Sequence, residues 1–181
     1  MNYETYFPRG IATGSAFCNR KDERARLSGN IKSGQHTLLI SPRRYGKTSL
    51  VLYVANEMDV PFGESDLFIA VDAKKIEQRI ISGIKKIIAN IGTPVEQVLE
   101  ILRNYFRDKS PRWMIGTQGL DIALVSDPNS DPATNVLEAL QALDDLLQKK
   151  NKHAILFLDE MQEMGQITFL PLFCIDSSIS C

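Results

Sequence analysis

The chain has 181 residues, 44% of them hydrophobic and 24% charged, which is enough to bury one core and excludes a disordered or collagen-like chain. A net charge of −1 provides no global field to recruit nucleic acid or an anionic membrane. Cys18, Cys174 and Cys181 are odd in number and form no CxxC pair, so neither a disulfide framework nor a zinc site is expected, and reduced thiols in a cytoplasmic protein fit.

The opening MNYETYFPRG is polar and lacks the apolar stretch of a signal peptide. From Arg20 to Ile31 the pattern is charged and amphipathic, with Ala25, Leu27 and Ile31 as sparse apolar positions, and Ser33-Gly34 breaks it. His36 to Ile40 predicts a short buried strand, and residues 41–46 a loop. A helix is predicted from Lys47, where Leu50, Val51, Val54 and Met58 recur at helical spacing. Pro61-Phe62-Gly63 reads as a turn, and Leu67 to Val71 as a second buried strand ending at Asp72.

Residues 74–90 predict an amphipathic helix with Ile76, Ile80, Ile84, Ile87 and Ile88 on one side. Asp72 is suited to cap it. Gly92 and Pro94 divide it from a helix at Val95 to Phe106. Arg112 to Ile115 and Asp121 to Val125 can pair as strands across 116–119. A loop at 127–132 leads to a helix from about Thr134 to Lys150, with Val136, Leu140, Leu143 and Leu147 as its stripe. Ala154 to Leu158 is a third buried strand, with Asp159-Glu160 at its carboxyl end. Apolar strands alternating with helices predict an α/β architecture with a mostly parallel sheet covered on both faces. The run Ile167 to Ile175 is too short to span a bilayer and contains Pro171, so no membrane partner is expected.

The chemistry concentrates in Ser41-Pro42-Arg43-Arg44-Tyr45-Gly46-Lys47-Thr48-Ser49. This matches the phosphate-loop pattern G-x-x-x-x-G-K-[ST], with Ser41 at the first glycine position. A phosphate chain needs several N–H donors converging on it, and a loop entering a helix N-terminus supplies them. Gly46 lets the backbone approach closely, Lys47 puts a point charge between the β and γ phosphates, and the Thr48 hydroxyl is suited to Mg²⁺. Arg43 or Arg44 can reach phosphate or a neighbouring acid, but solvated arginines are an equal reading. Tyr45 is expected to pack against the loop rather than stack on a base. At the other motif, Asp159 is suited to hold Mg²⁺ through water and Glu160 to polarise an attacking water. His36 and His153 have no partner motif and are expected at the surface.

Three stretches resemble the archaeal-type ATPase family of the AAA+/STAND group: Phe17-Cys-Asn-Arg20-Lys-Asp-Glu23, Ser41 to Leu50, and Leu158-Asp-Glu-Met-Gln-Glu163. Asn19 replaces the glycine usual in the first. The resemblance covers about residues 6–166 and implies a P-loop NTPase three-layer sandwich, ATP as ligand, and Mg²⁺-dependent hydrolysis. It makes residues 1–166 the ATPase core and 167–181 an atypical tail. Only 21 residues follow Glu160, without the further strands, sensor residue and C-terminal domain of the family, so the fold is expected to be incomplete at that end and marginally stable, with slow or no hydrolysis. Adenine rests on the resemblance, although no guanine-reading N-K-x-D stretch occurs. Three readings follow: an ATPase switch core passing a conformational change to a protein partner or a second copy, a non-catalytic nucleotide-binding fragment, and a DNA-associated initiator-like ATPase. The last rests on fold analogy and has no support from the charge.

Overall fold

The computed structural model describes residues 20–42, 45–68, 70, 72–92, 114–116, 119–121 and 131–161. The architecture is mixed α/β: among the described residues there are four helices and a small parallel two-stranded sheet, with a separate antiparallel ribbon. The chain divides into two compact units, Met1–Phe62 with His153–Ile155, and Gly63–Lys152 with Leu156–Cys181.

The first unit holds α1 (Lys21–Lys32) and α2 (Lys47–Met58). Helix α1 has few apolar residues and buries only Leu27, but its charges suit its dipole: Asp22 and Glu23 in the first turn, Lys32 in the last. Helix α2 buries Leu50, Val51, Val54 and Ala55, the stripe expected of a helix that packs on one side. It stops where Asp59 turns left-handed at φ 52° and Val60 N–H reaches back to Ala55 O at 3.1 Å. The two helices are joined by an Arg24–Glu57 ion pair at 2.7 Å, with the Arg24 guanidinium 4.3 Å above the Tyr53 ring.

The expected buried strand at His36–Ile40 is not formed. These residues join no ladder, and Leu38 and Ile40 are 74% and 87% exposed. An apolar run becomes a strand only when a neighbour takes up its backbone N–H and C=O groups. Among the described residues no strand does so.

Strand β1 (Phe62–Asp66) pairs with β4 (Ile155–Asp159), and all but the first residue of each belongs to the second unit. Ile155 N–H donates to Pro61 O at 2.9 Å and Leu67 N–H to Asp159 O at 3.1 Å, the same-direction offset of a parallel ladder. Strand β1 thus begins inside the expected turn at 61–63, and of the expected strand at 67–71 the described residues 67, 68 and 70 lie in no strand. Asp66 Oδ1 accepts the Phe68 N–H at 3.0 Å, and Ala70 N–H bonds to Leu67 O at 3.1 Å, so the chain turns where a strand was predicted. Leu67 is fully buried all the same, as a turn residue.

Helix α3 (Ala73–Asn90) follows the sequence closely. Asp72 caps it, accepting from Lys75 N–H at 2.7 Å, and Ile76, Ile80, Ile84, Ile87 and Ile88 are all buried. It lies so near β1 that a Cβ on Gly63 would stand 2.1 Å from Gly83 O, and one on Gly83 would stand 2.3 Å from Ser65 Oγ. Ser65 Oγ donates to Arg79 O at 2.9 Å. The inward side of β1 is therefore Gly63 and Ser65, small residues that let helix and strand backbones meet.

Strands β2 (Met114–Gly116) and β3 (Gly119–Asp121) pair antiparallel in the register Met114 to Asp121, so a strand pair forms in the expected region but Gly116 and Gly119, expected in the connection, are paired strand residues. Helix α4 (Pro132–Lys150) begins with Pro132 and is capped by Asp131, which accepts from Thr134 N–H at 3.0 Å. Its buried face is not the expected one. Val136 and Leu143 are buried, but alongside Asn135, Ala139, Ala142 and Leu146, while Leu140 and Leu147 are half-buried. Helix α4 packs on α3. In this interface Asn135 Nδ2 donates to the buried Glu77 carboxylate at 2.8 Å. The predicted helix at 95–106, the segment Phe17–Asn19, and everything after Met161 lie outside the described residues.

Candidate functional site

Each motif is built within its own unit. In the first unit, Tyr45 N–H bonds to Pro42 O at 3.3 Å, directly ahead of Gly46. Gly46 is left-handed, at φ 71° and ψ 33°, and is the N-cap of α2, its carbonyl accepting the Leu50 N–H at 3.0 Å. Glycine populates this region at no steric cost. The helix therefore starts directly from the loop, with its positive dipole end at the loop mouth.

Lys47 opens the helix, yet its side chain turns back across the loop. Its Nζ donates to Ser41 O at 3.4 Å. Thr48 is half-buried and Ser49 is buried at the start of the helix. Pro42 is exposed, and Ser41 is half-buried. Arg43 and Arg44 lie outside the described residues. Tyr45 is 59% exposed, so the expected packing of its ring is not found. Its peptide is instead fixed through the carbonyl, which accepts from Arg20 Nη2.

This contact is the feature that sequence reading missed. Arg20 lies 25 residues before Tyr45 and is the N-cap of α1. The only signal was its place in the 17–23 box ahead of the loop.

In the second unit, β4 delivers Asp159 and Glu160 at its carboxyl end, as predicted, although the strand is half-buried rather than buried. Asp159 is held from both sides. Its carbonyl accepts from Leu67 N–H at 3.1 Å, and its Oδ1 accepts from Glu160 N–H at 3.0 Å. Glu160 leaves the strand in the left-handed region at φ 56°, an unusual conformation for a residue with a Cβ. Both carboxylates are half-buried.

His36 and His153 are exposed. Among the described residues no group of three His, Cys, Asp or Glu side chains could hold a metal on its own. Each motif contains one hard oxygen donor of the kind Mg²⁺ takes, the Thr48 hydroxyl in the first unit and the Asp159 carboxylate in the second. A concavity of about 630 Å³ between α1 and α2, lined by Lys21, Arg24, Ser28, Lys32 and Glu57, includes none of residues 41–49. Among the described residues no helix is long and apolar enough to cross a membrane. Comparison with protein-family models, curated proteins and solved structures finds no match.

Proposed function

We propose that this chain binds ATP with Mg²⁺ through residues 41–49 and hydrolyses it to ADP and phosphate, as the switch core of an AAA+/STAND-like ATPase with a P-loop sandwich. The observation that supports this most is the Lys47 side chain folded back onto Ser41 O above a left-handed Gly46 at the α2 N-terminus. An ordinary surface lysine extends into water. Here the ammonium is parked on a loop carbonyl that a phosphate oxygen can replace.

In this reading the loop N–H groups and Lys47 bind the β and γ phosphates. By residue type the Thr48 hydroxyl and the Asp159 carboxylate would each be a ligand for Mg²⁺, and the ion when bound would neutralise phosphate charge. Glu160 orients water in line with the γ-phosphorus and takes its proton as the bond to the β–γ bridging oxygen breaks. Phosphate and ADP leave, and the loss of γ-phosphate contacts is the signal passed to a protein partner or a second copy. DNA as a partner rests on analogy, and a net charge of −1 offers it nothing.

A second reading, nucleotide binding without turnover, is favoured by the exposed 36–40 segment, which leaves the loop without a paired strand ahead of it. Phosphate release by the purified chain separates the two. The ATPase reading expects Mg²⁺-dependent release that Glu160→Gln abolishes while ATP is still bound. Tight ATP binding with no release in wild type selects the second reading.

A further inference from the structure

We propose that Arg20 is a positioning residue for the phosphate loop, holding the Tyr45–Gly46 peptide so that the Gly46 N–H faces the bound phosphates. This rests on the nucleotide-binding reading of residues 41–49. Three observations converge on it. First, the Arg20 guanidinium donates to Tyr45 O, and its Nη2 lies 4.0 Å from where a Cβ on Gly46 would stand. No described peptide bond is cis, and in a trans peptide the C=O and N–H point in opposite directions. Fixing the Tyr45 carbonyl toward Arg20 therefore aims the Gly46 N–H away from it.

Second, Arg20 itself is left-handed, at φ 38° and ψ 43°. That is a costly conformation for an arginine, at a helix N-cap where its charge opposes the dipole and its side chain makes no cap. The helix gains nothing from arginine here, whereas the loop gains a donor. Its backbone is tied down by Arg24 N–H, which bonds to Arg20 O at 3.0 Å.

Third, Lys47 and Arg20 each rest a cationic donor on a loop carbonyl, at Ser41 and at Tyr45. With the α2 dipole these place two full charges and a partial one around a single loop. A polyphosphate matches that arrangement, and a nucleoside monophosphate matches it poorly.

The test is the affinity of the full chain for ATP, ADP and AMP in wild type, Arg20→Ala, Arg20→Gln and Arg24→Ala, with the Gly46 amide resonance followed on nucleotide addition. The proposal expects Arg20→Ala and Arg20→Gln to weaken ATP and ADP by on the order of tenfold, the scale of one charge-assisted hydrogen bond. AMP affinity should not change, and the Gly46 amide shift on ADP addition should shrink. Arg24→Ala, on the same helix, should bind all three as wild type does. If Arg20→Ala fails to fold, Arg20→Gln carries the test with the same expectation. Folded Arg20 variants with wild-type ADP affinity, in a chain whose ATP binding Lys47→Ala abolishes, overturn this inference alone. A wild-type chain that binds no ATP overturns the nucleotide-binding reading and this inference together.

Discussion

Both units contain a packed pair of helices, and the two pairs are held by different forces. Between α3 and α4, α3 buries a band of isoleucines and α4 buries Val136, Ala139, Ala142, Leu143 and Leu146, and the Glu77–Asn135 hydrogen bond links the two helices. Between α1 and α2 the conspicuous links are an ion pair and an arginine over a tyrosine ring, and α1 buries one leucine. Burying an aliphatic side chain contributes about 1.5–3 kcal/mol, whereas an exposed ion pair contributes about 0.2–1 kcal/mol. Residues 45–49, which lead into α2, therefore adjoin the more weakly held pair.

The contrast is broken most severely by cutting into the isoleucine band. Ile80→Ala, at a position 1% exposed, should cost about 2–5 kcal/mol in urea unfolding. A loss below about 1 kcal/mol would mean that the α3–α4 interface is not the principal core. Next, Gly83→Ala forces a methyl against Ser65 Oγ and Leu156, and should lower stability by about 1–3 kcal/mol, by separating α3 from β1. The smallest effect belongs to the first unit: Arg24→Ala removes the Glu57 ion pair and should cost about 0.2–1 kcal/mol, shrinking with added salt. A salt-independent loss above 2 kcal/mol would place α1 and α2 on a par with α3 and α4.

The same contrast decides what could be read from sequence. Helix α3 was legible because its isoleucines repeat at helical spacing and Asp72 stands one residue before its start. Strand β4 was legible as an apolar run ending in two acids, and Lys47 as a helix start after a glycine. Strand β1 was not, because its inward residues are Gly63 and Ser65 and closeness to α3, rather than apolar bulk, makes them a strand. The run at 36–40 misled for the opposite reason: apolar composition without a partner to pair with. The face of α4 was misjudged because leucines were counted, whereas Asn135, Ala139 and Ala142 belong to the buried face. Of the candidate site, Ser41, Gly46, Lys47, Asp159 and Glu160 were readable from spacing. Arg20 was not, since a contact across 25 residues leaves no local pattern.

The central claim is that residues 41–49 form a phosphate site with Lys47 at its centre. Calorimetric titration of the purified chain with ATP and Mg²⁺, beside Lys47→Ala at equal thermal stability, tests it most directly. The account predicts saturable binding by wild type and a loss on the order of 100-fold in Lys47→Ala, the upper range for removing a charged donor from a phosphate. Equal affinity in the two proteins, or a folded wild type that takes up no ATP, would contradict it.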